Sequence, residues 1–127
     1  MNTNNALCGR RILVVEDQCA IALDLCECLD QLGANIIGPA SSVADALSIL
    51  DSAESLDVAV LDVELEGEPV YAVADRLQQL GVPYLFTTGY EAAEIPDRYR
   101  RAPCFEKPVG TGAIVAAICE QLTPAAR

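Results

Sequence analysis

The sequence predicts a doubly wound α/β fold: five parallel strands in the order 2-1-3-4-5, helices on both faces, and a reduced or missing fourth helix. Three observations predict it. Short apolar runs alternate with stretches of helical periodicity, the pattern of parallel strands joined by right-handed crossovers. Ile12-Leu13-Val14-Val15 and Val58-Ala59-Val60-Leu61 are apolar at every position, as strands covered on both faces are. Both runs end in carboxylates, Glu16-Asp17 and Asp62, at the sheet edge where such folds bind ligands.

Residues 1–9 read as a short flexible lead, 10–124 as one domain without internal linker, and 125–127 as a tail. After the first strand, Ile21, Leu25, Cys28, Leu29 and Leu32 recur at i, i+4, i+7, i+8 and i+11. That is one face of a helix, which Gly33 stops. Asn35-Ile36-Ile37-Gly38-Pro39 is a short second strand with a turn. Ser42 is placed to cap a helix with the stripe Val43, Leu47 and Leu50. Val58–Leu61 is the third strand. Val70, Val73, Ala74, Leu77 and Leu80 form the next stripe, closed by Gly81. Tyr84-Leu85-Phe86 is the fourth strand and runs into Thr87-Thr88-Gly89. Cys104-Phe105-Glu106 is the fifth, followed by Lys107-Pro108. Ile114, Val115, Ile118 and Leu122 mark the last helix. Between strands four and five, residues 90–103 hold Pro96, Pro103 and the run Asp97-Arg98-Tyr99-Arg100-Arg101 without an apolar stripe. A loop or a single turn is expected there.

The 127 residues fit one domain, and 52% hydrophobic content supplies its core. Eight basic against nineteen acidic residues give a net charge of −11, so no cationic face is available for nucleic acid or for anionic lipid. No apolar run approaches the roughly 20 residues of a membrane span, and the start of the chain lacks the apolar stretch of a secretory signal. A cytoplasmic location is expected. The six cysteines include no C-x-x-C pair, and histidine is absent, which argues against zinc. They read as small apolar residues in a reducing compartment, with a redox role for Cys8, Cys19 or Cys26 as the alternative.

The chemistry belongs at the carboxyl ends of the strands. Strand one brings Glu16 and Asp17, strand three Asp62, strand four Thr88, strand five Lys107. Two like charges about 4 Å apart cost roughly 4 kcal/mol at an effective dielectric of about 20, so three gathered carboxylates need compensation. Mg2+ supplies it, being a hard cation satisfied by a few protein oxygens and water; Mn2+ is the substitute. Metal, ammonium and hydroxyl together suit an incoming phosphoryl group. A carboxylate attacking phosphorus forms an acyl phosphate. Asp62 is the best candidate because it ends the central strand, between the metal ligands and Lys107.

Leu13-Val14-Val15-Glu16-Asp17, Val60-Leu61-Asp62, Phe86-Thr87-Thr88-Gly89 and Lys107-Pro108 are each short. In this order and on these strand ends they resemble the receiver domain of bacterial response regulators, of flavodoxin-like fold, over about residues 11–123. The resemblance implies that Asp62 is the phosphoacceptor and that Asp17 ligates Mg2+ directly, with Glu16 acting through metal-bound water. It makes the main-chain carbonyl of Glu64 a third protein ligand. Thr88 becomes the switch hydroxyl, and Lys107 pairs with a phosphoryl oxygen. It implies a histidine kinase or phosphotransfer protein as donor, a downstream protein as target, and a monomer or weak dimer. The chain is also similar to alphaproteobacterial single-domain regulators with a Phe-Ala-Thr-Gly signature and reduced structure after strand four. That subgroup is linked to HWE-type kinases and stress signalling. One departure stands out. Many receivers carry an aromatic three positions before the lysine. Here Cys104 takes that place, and the aromatic is Phe105, expected on the other face of its strand.

Each feature alone also fits a plain role: a solvated strand end for Glu16-Asp17, a turn cap for Asp62, a loop for Lys107-Pro108. Tyr71, Tyr84 and Tyr99 read as packing or surface residues, and Tyr90 as a residue shaping access to the phosphoryl group. Three other functions compete with an output-bearing switch, itself no enzyme beyond self-phosphorylation and autodephosphorylation. One is a binding module that has lost phosphorylation, against which the retention of Asp62, Lys107 and Thr88 argues. Another is a phosphate sink for a shared kinase. The third is a Mg2+-dependent phosphatase with an aspartyl nucleophile, for which Asp62-Val63-Glu64 offers Glu where such enzymes use a second Asp.

Overall fold

In the computed structural model, residues 6–52, 55–89 and 95–122 are described. The central strands are β1 (Arg11–Val15), β2 (Asn35–Ala40), β3 (Val58–Asp62), β4 (Tyr84–Thr88) and β5 (Cys104–Glu106). They pair in parallel in the order β2-β1-β3-β4-β5, as expected. The edge strand β2 shifts register opposite β1 at Gly38-Pro39, where proline offers no N–H to the ladder.

Among the described residues four α-helices cover the sheet: α1 (Cys19–Gln31), α2 (Val43–Ser52), α3 (Tyr71–Leu80) and α4 (Thr111–Leu122). Alternation along the strands splits the core in two. Leu13, Val15, Ala59, Leu61 and Phe86 face α2 and α3. Ile12, Val14, Val58, Val60 and Leu85 face α1 and α4. No described helix is long and apolar enough to cross a membrane.

Local signals act where expected. Ser42 Oγ accepts the Asp45 N–H at 3.1 Å and caps α2. Beyond α1, Gly33 adopts φ 90°, while its N–H bonds to Asp30 O and that of Ala34 to Leu29 O. This pair of bonds needs a left-handed residue at Gly33. Crossover 95–103 holds one 3-10 turn, Asp97–Tyr99, in place of a helix, as its prolines and missing stripe predict. Residues 90–94, with Tyr90, lie outside the described residues.

Three expectations are corrected. Residues 6–9 are ordered against the domain and are not part of a flexible lead. Leu7 is buried in the α1/α4-side core, its N–H bonds to Leu32 O at 3.0 Å, and Gly9 N–H bonds to Gly33 O. One apolar side chain and two backbone bonds pin this turn to the end of α1; residues 1–5 and the 123–127 end lie outside the described residues. The buried stripe of α1 is Ala22, Leu25 and Leu29, and Ile21 is 39% exposed on its flank. Leu80 of the α3 stripe is likewise exposed at the helix end.

Candidate functional site

Glu16 and Asp17 follow β1, and Asp62 ends β3, so neighbouring strands bring their carboxylates to one edge. Glu16 is 6% exposed and Asp62 5%. The Glu16 backbone N–H bonds to Ala40 O at 2.9 Å, which extends the ladder to β2 and fixes the start of the side chain. Its Oε2 accepts the Gln18 N–H at 3.1 Å. Asp62 Oδ1 accepts the Glu64 N–H at 3.1 Å, a local turn that orients the carboxylate.

Lys107 follows β5, held there by its N–H bond to Thr88 O at 2.7 Å. Its Nζ lies 2.8 Å from Asp62 Oδ2 and 3.0 Å from Glu16 Oε1. Burial draws its pKa down, but hydrogen bonds and charge from Asp62 and Glu16 outweigh that and hold it above the ordinary lysine value. It therefore stays an ammonium.

Asp17 is held from the other side. A two-residue turn, Glu66-Gly67, joins the short antiparallel strands Glu64–Leu65 and Glu68–Pro69. Both turn residues have positive φ, 51° and 84°, as this type of hairpin requires. The Glu66 N–H donates to Asp17 Oδ2 at 2.8 Å. The Glu-Gly pair is the sequence signal for this hairpin, a faint one because each strand has only two residues.

Glu16, Asp17 and Asp62 each offer an oxygen within 4.8 Å of the others. Three carboxylates against one ammonium leave a net charge of −3 + 1 = −2 when all are ionised. The strain shows at Glu16: burial first, then its hydrogen bond to Asp62, pushes its pKa up to about 7. Hard oxygen donors with surplus negative charge fit Mg2+ or Mn2+. Glu64 stands two residues past Asp62, exposed, with its N–H on that carboxylate.

Thr88 is 1% exposed at the end of β4. Alternation places its side chain on the face of Phe86, toward α2 and α3. Thr87, which pairs in register with Asp62, faces the other way. It lines a cleft of about 450 Å3 with Glu16, Gln18, Ile21, Lys107 and Ile114. The structure thus joins Glu16, Asp17, Asp62 and Lys107 directly, and Thr88 through its backbone. Thr87 is a cleft residue that the sequence does not mark, because the register of β4 with β3 sets which of the two threonines pairs with Asp62. Cys104 and Phe105 divide as expected: Cys104 packs with the α2/α3-side core and Phe105 with the other.

No family model matches the chain. SdrG from Sphingomonas melonis Fr1 is 33% identical, with TM-score 0.73 over 93% of this chain and 98% of that one. A CheY-like response regulator receiver domain protein from Methanospirillum hungatei shares the fold, at 24% identity and TM-score 0.80 over 90% of this chain and 94% of that one. The phyllosphere-induced regulator PhyR of Methylorubrum extorquens is 31% identical over 119 residues, 87% of this chain. The chain spans 43% of that relative's length. With this fold, these relatives and this edge, the chain belongs to the CheY-like receiver domains of response regulators.

Proposed function

We propose that the chain is a phosphorylation switch in which Asp62 accepts a phosphoryl group from a histidine kinase or phosphotransfer protein. The observation that carries this reading is Lys107 Nζ, 2.8 Å from Asp62 Oδ2 at the edge of an acidic cluster. In the transfer, an Asp62 Oδ–P bond forms as the donor's P–N bond breaks, and the donor imidazole recovers its neutral form by taking a proton. Lys107 holds a phosphoryl oxygen by charge-assisted hydrogen bonding. Asp17, Glu16, Asp62 and the Glu64 carbonyl are the residues to hold Mg2+, which when bound lowers the cost of gathering negative charge. The Thr88 hydroxyl bonds a phosphoryl oxygen once the group is in place.

Transfer to Asp62 and its slow hydrolysis are the only chemistry assigned, so the protein is a signalling element of the cytoplasm and not a turnover enzyme. It acts by contact with a downstream protein, without nucleic acid or membrane. The test is exposure of the full chain to acetyl phosphate and Mg2+. One phosphoryl mass is expected on the native protein and none on Asp62→Ala. No gain on the native protein overturns the reading, as does sustained turnover of a phosphomonoester.

A further inference from the structure

Three carboxylates bring six oxygens to the acidic edge, and five of these meet a donor. Asp62 Oδ1 takes the Glu64 N–H and Oδ2 the Lys107 ammonium. Glu16 meets Lys107 with Oε1 and the Gln18 N–H with Oε2. Asp17 Oδ2 takes the Glu66 N–H at 2.8 Å, and Oδ1 has no donor among the described residues. Asp17 is half-buried, just before α1, and the charges of Glu16 and Asp62 push its carboxylate outward. The Glu66 N–H is the one hydrogen bond that holds it, among the described residues.

The hairpin aims that donor. The Val70 N–H bonds to Val63 O at 2.8 Å and closes its base, and the Val63 N–H bonds to Thr87 O at 2.9 Å and ties the base to β4. Leu65 is 1% exposed in the α2/α3-side core and anchors the arm between the two donors. Backbone N–H groups alternate in direction along an extended chain. Those of Glu64 and Glu66, two residues apart, therefore both point to the acidic edge, one onto Asp62 and one onto Asp17. Glu66 is the one residue other than glycine with positive φ among the described residues, at 51°. Glutamate is disfavoured in that conformation, and the usual residues at this turn position are Asn, Asp or Gly. Its own carboxylate is exposed, so the contact that the turn makes with the site is through the backbone.

We propose that this turn is the positioning element of the metal site: the Glu66 N–H holds Asp17 by Oδ2 and so presents Oδ1 to a divalent cation. The proposal rests on the reading of the acidic edge as a Mg2+-assisted phosphoryl site. A donor behind a ligating carboxylate fixes its orientation, and losing such a partner costs about 10- to 100-fold in metal affinity.

The test is calorimetric titration of the full chain with Mg2+. The native protein is compared with the same chain carrying an ester in place of the Leu65–Glu66 amide, which deletes this N–H and keeps every side chain. The ester chain binds Mg2+ at least about tenfold more weakly. Glu66→Gly keeps the N–H, relaxes the left-handed turn and binds within about twofold of the native chain. A hairpin that only supports the fold would lower the urea midpoint of the ester chain and leave its Mg2+ affinity unchanged. That result overturns this proposal alone, as does a tenfold loss in Glu66→Gly, which would assign the effect to the side chain. Amide hydrogen exchange supplies a second measurement that decides if the ester chain fails to fold. In Asp17→Ala the Glu66 amide exchanges at least about tenfold faster, while the Val70 amide at the hairpin base stays within about twofold of native. Unchanged exchange at Glu66 overturns the proposal. A native chain that binds no Mg2+ overturns the reading of the acidic edge, and this proposal with it.

Discussion

Lys107→Met removes the only ammonium from the acidic edge and nearly conserves side-chain volume. The side chains of its partners are 5% exposed for Glu16 and 7% for Asp62, with contacts of 3.0 and 2.8 Å. At an effective dielectric of about 20, each contact carries roughly 6 kcal/mol of attraction. Desolvation of the three ions cancels most of it, and breaking such a pair costs about 3–5 kcal/mol. The cleft beside Lys107 admits water, which lowers the expected loss to about 2–4 kcal/mol in the absence of divalent cation. Urea unfolding monitored by far-ultraviolet circular dichroism measures it. Adding Asp62→Asn should return a large part of the loss, because one of the stranded charges disappears, and Mg2+ should stabilise the single variant. A loss below about 0.5 kcal/mol, within the range of exposed ion pairs, would refute the argument that Lys107 neutralises a buried cluster.

Other outcomes follow from single contacts. Gly33→Ala forces a left-handed alanine whose Cβ meets Cys8 Cα at 3.0 Å, and should cost about 1–2 kcal/mol in the same urea assay. Gly112→Ala, inside α4 with nothing near its Cβ, should instead stabilise by about 0.5–1 kcal/mol. Thermal melts of the native chain should rise with Mg2+ by mass action, and Asp17→Asn should need at least about tenfold more metal for the same rise, equivalent to about 1.4 kcal/mol. Burial, then the hydrogen bond to Asp75, raises the Tyr99 pKa. Its contribution is complete below the unfolded tyrosine value of about 10 and is lost as pH climbs through the folded one. Tyr99→Phe should therefore show a shallower alkaline loss of stability in urea titrations.

The frame was legible where one residue type decides the matter locally. Val58–Leu61 cannot alternate, so it is a strand covered on both sides, and its terminal Asp62 lands at the functional edge. The same logic placed Glu16, Asp17 and Lys107. What the sequence hid depends on distant contacts. Tyr99 sits in a charged run, and only the stack on Tyr71 and the small Cys104 beside Phe86 make it core. Leu7 is one apolar residue in a polar lead, and its burial requires the end of α1. Ile21 fits a helical stripe by spacing, but at the start of α1 that stripe meets the cleft beside Lys107 and not the sheet. For the same reason Thr87 went unmarked: which of two adjacent threonines faces the cleft is set by the register of β3 with β4.

The central claim is that the carboxylate of Asp62 carries the phosphoryl group. Its most direct test is peptide mapping after brief treatment with acetyl phosphate and Mg2+, with borohydride reduction to mark an acyl phosphate in place. Reduction at Asp62 alone, lost in Asp62→Asn and in chelator, is the predicted result. A mark at another carboxylate in the native protein, or none at all, would contradict it.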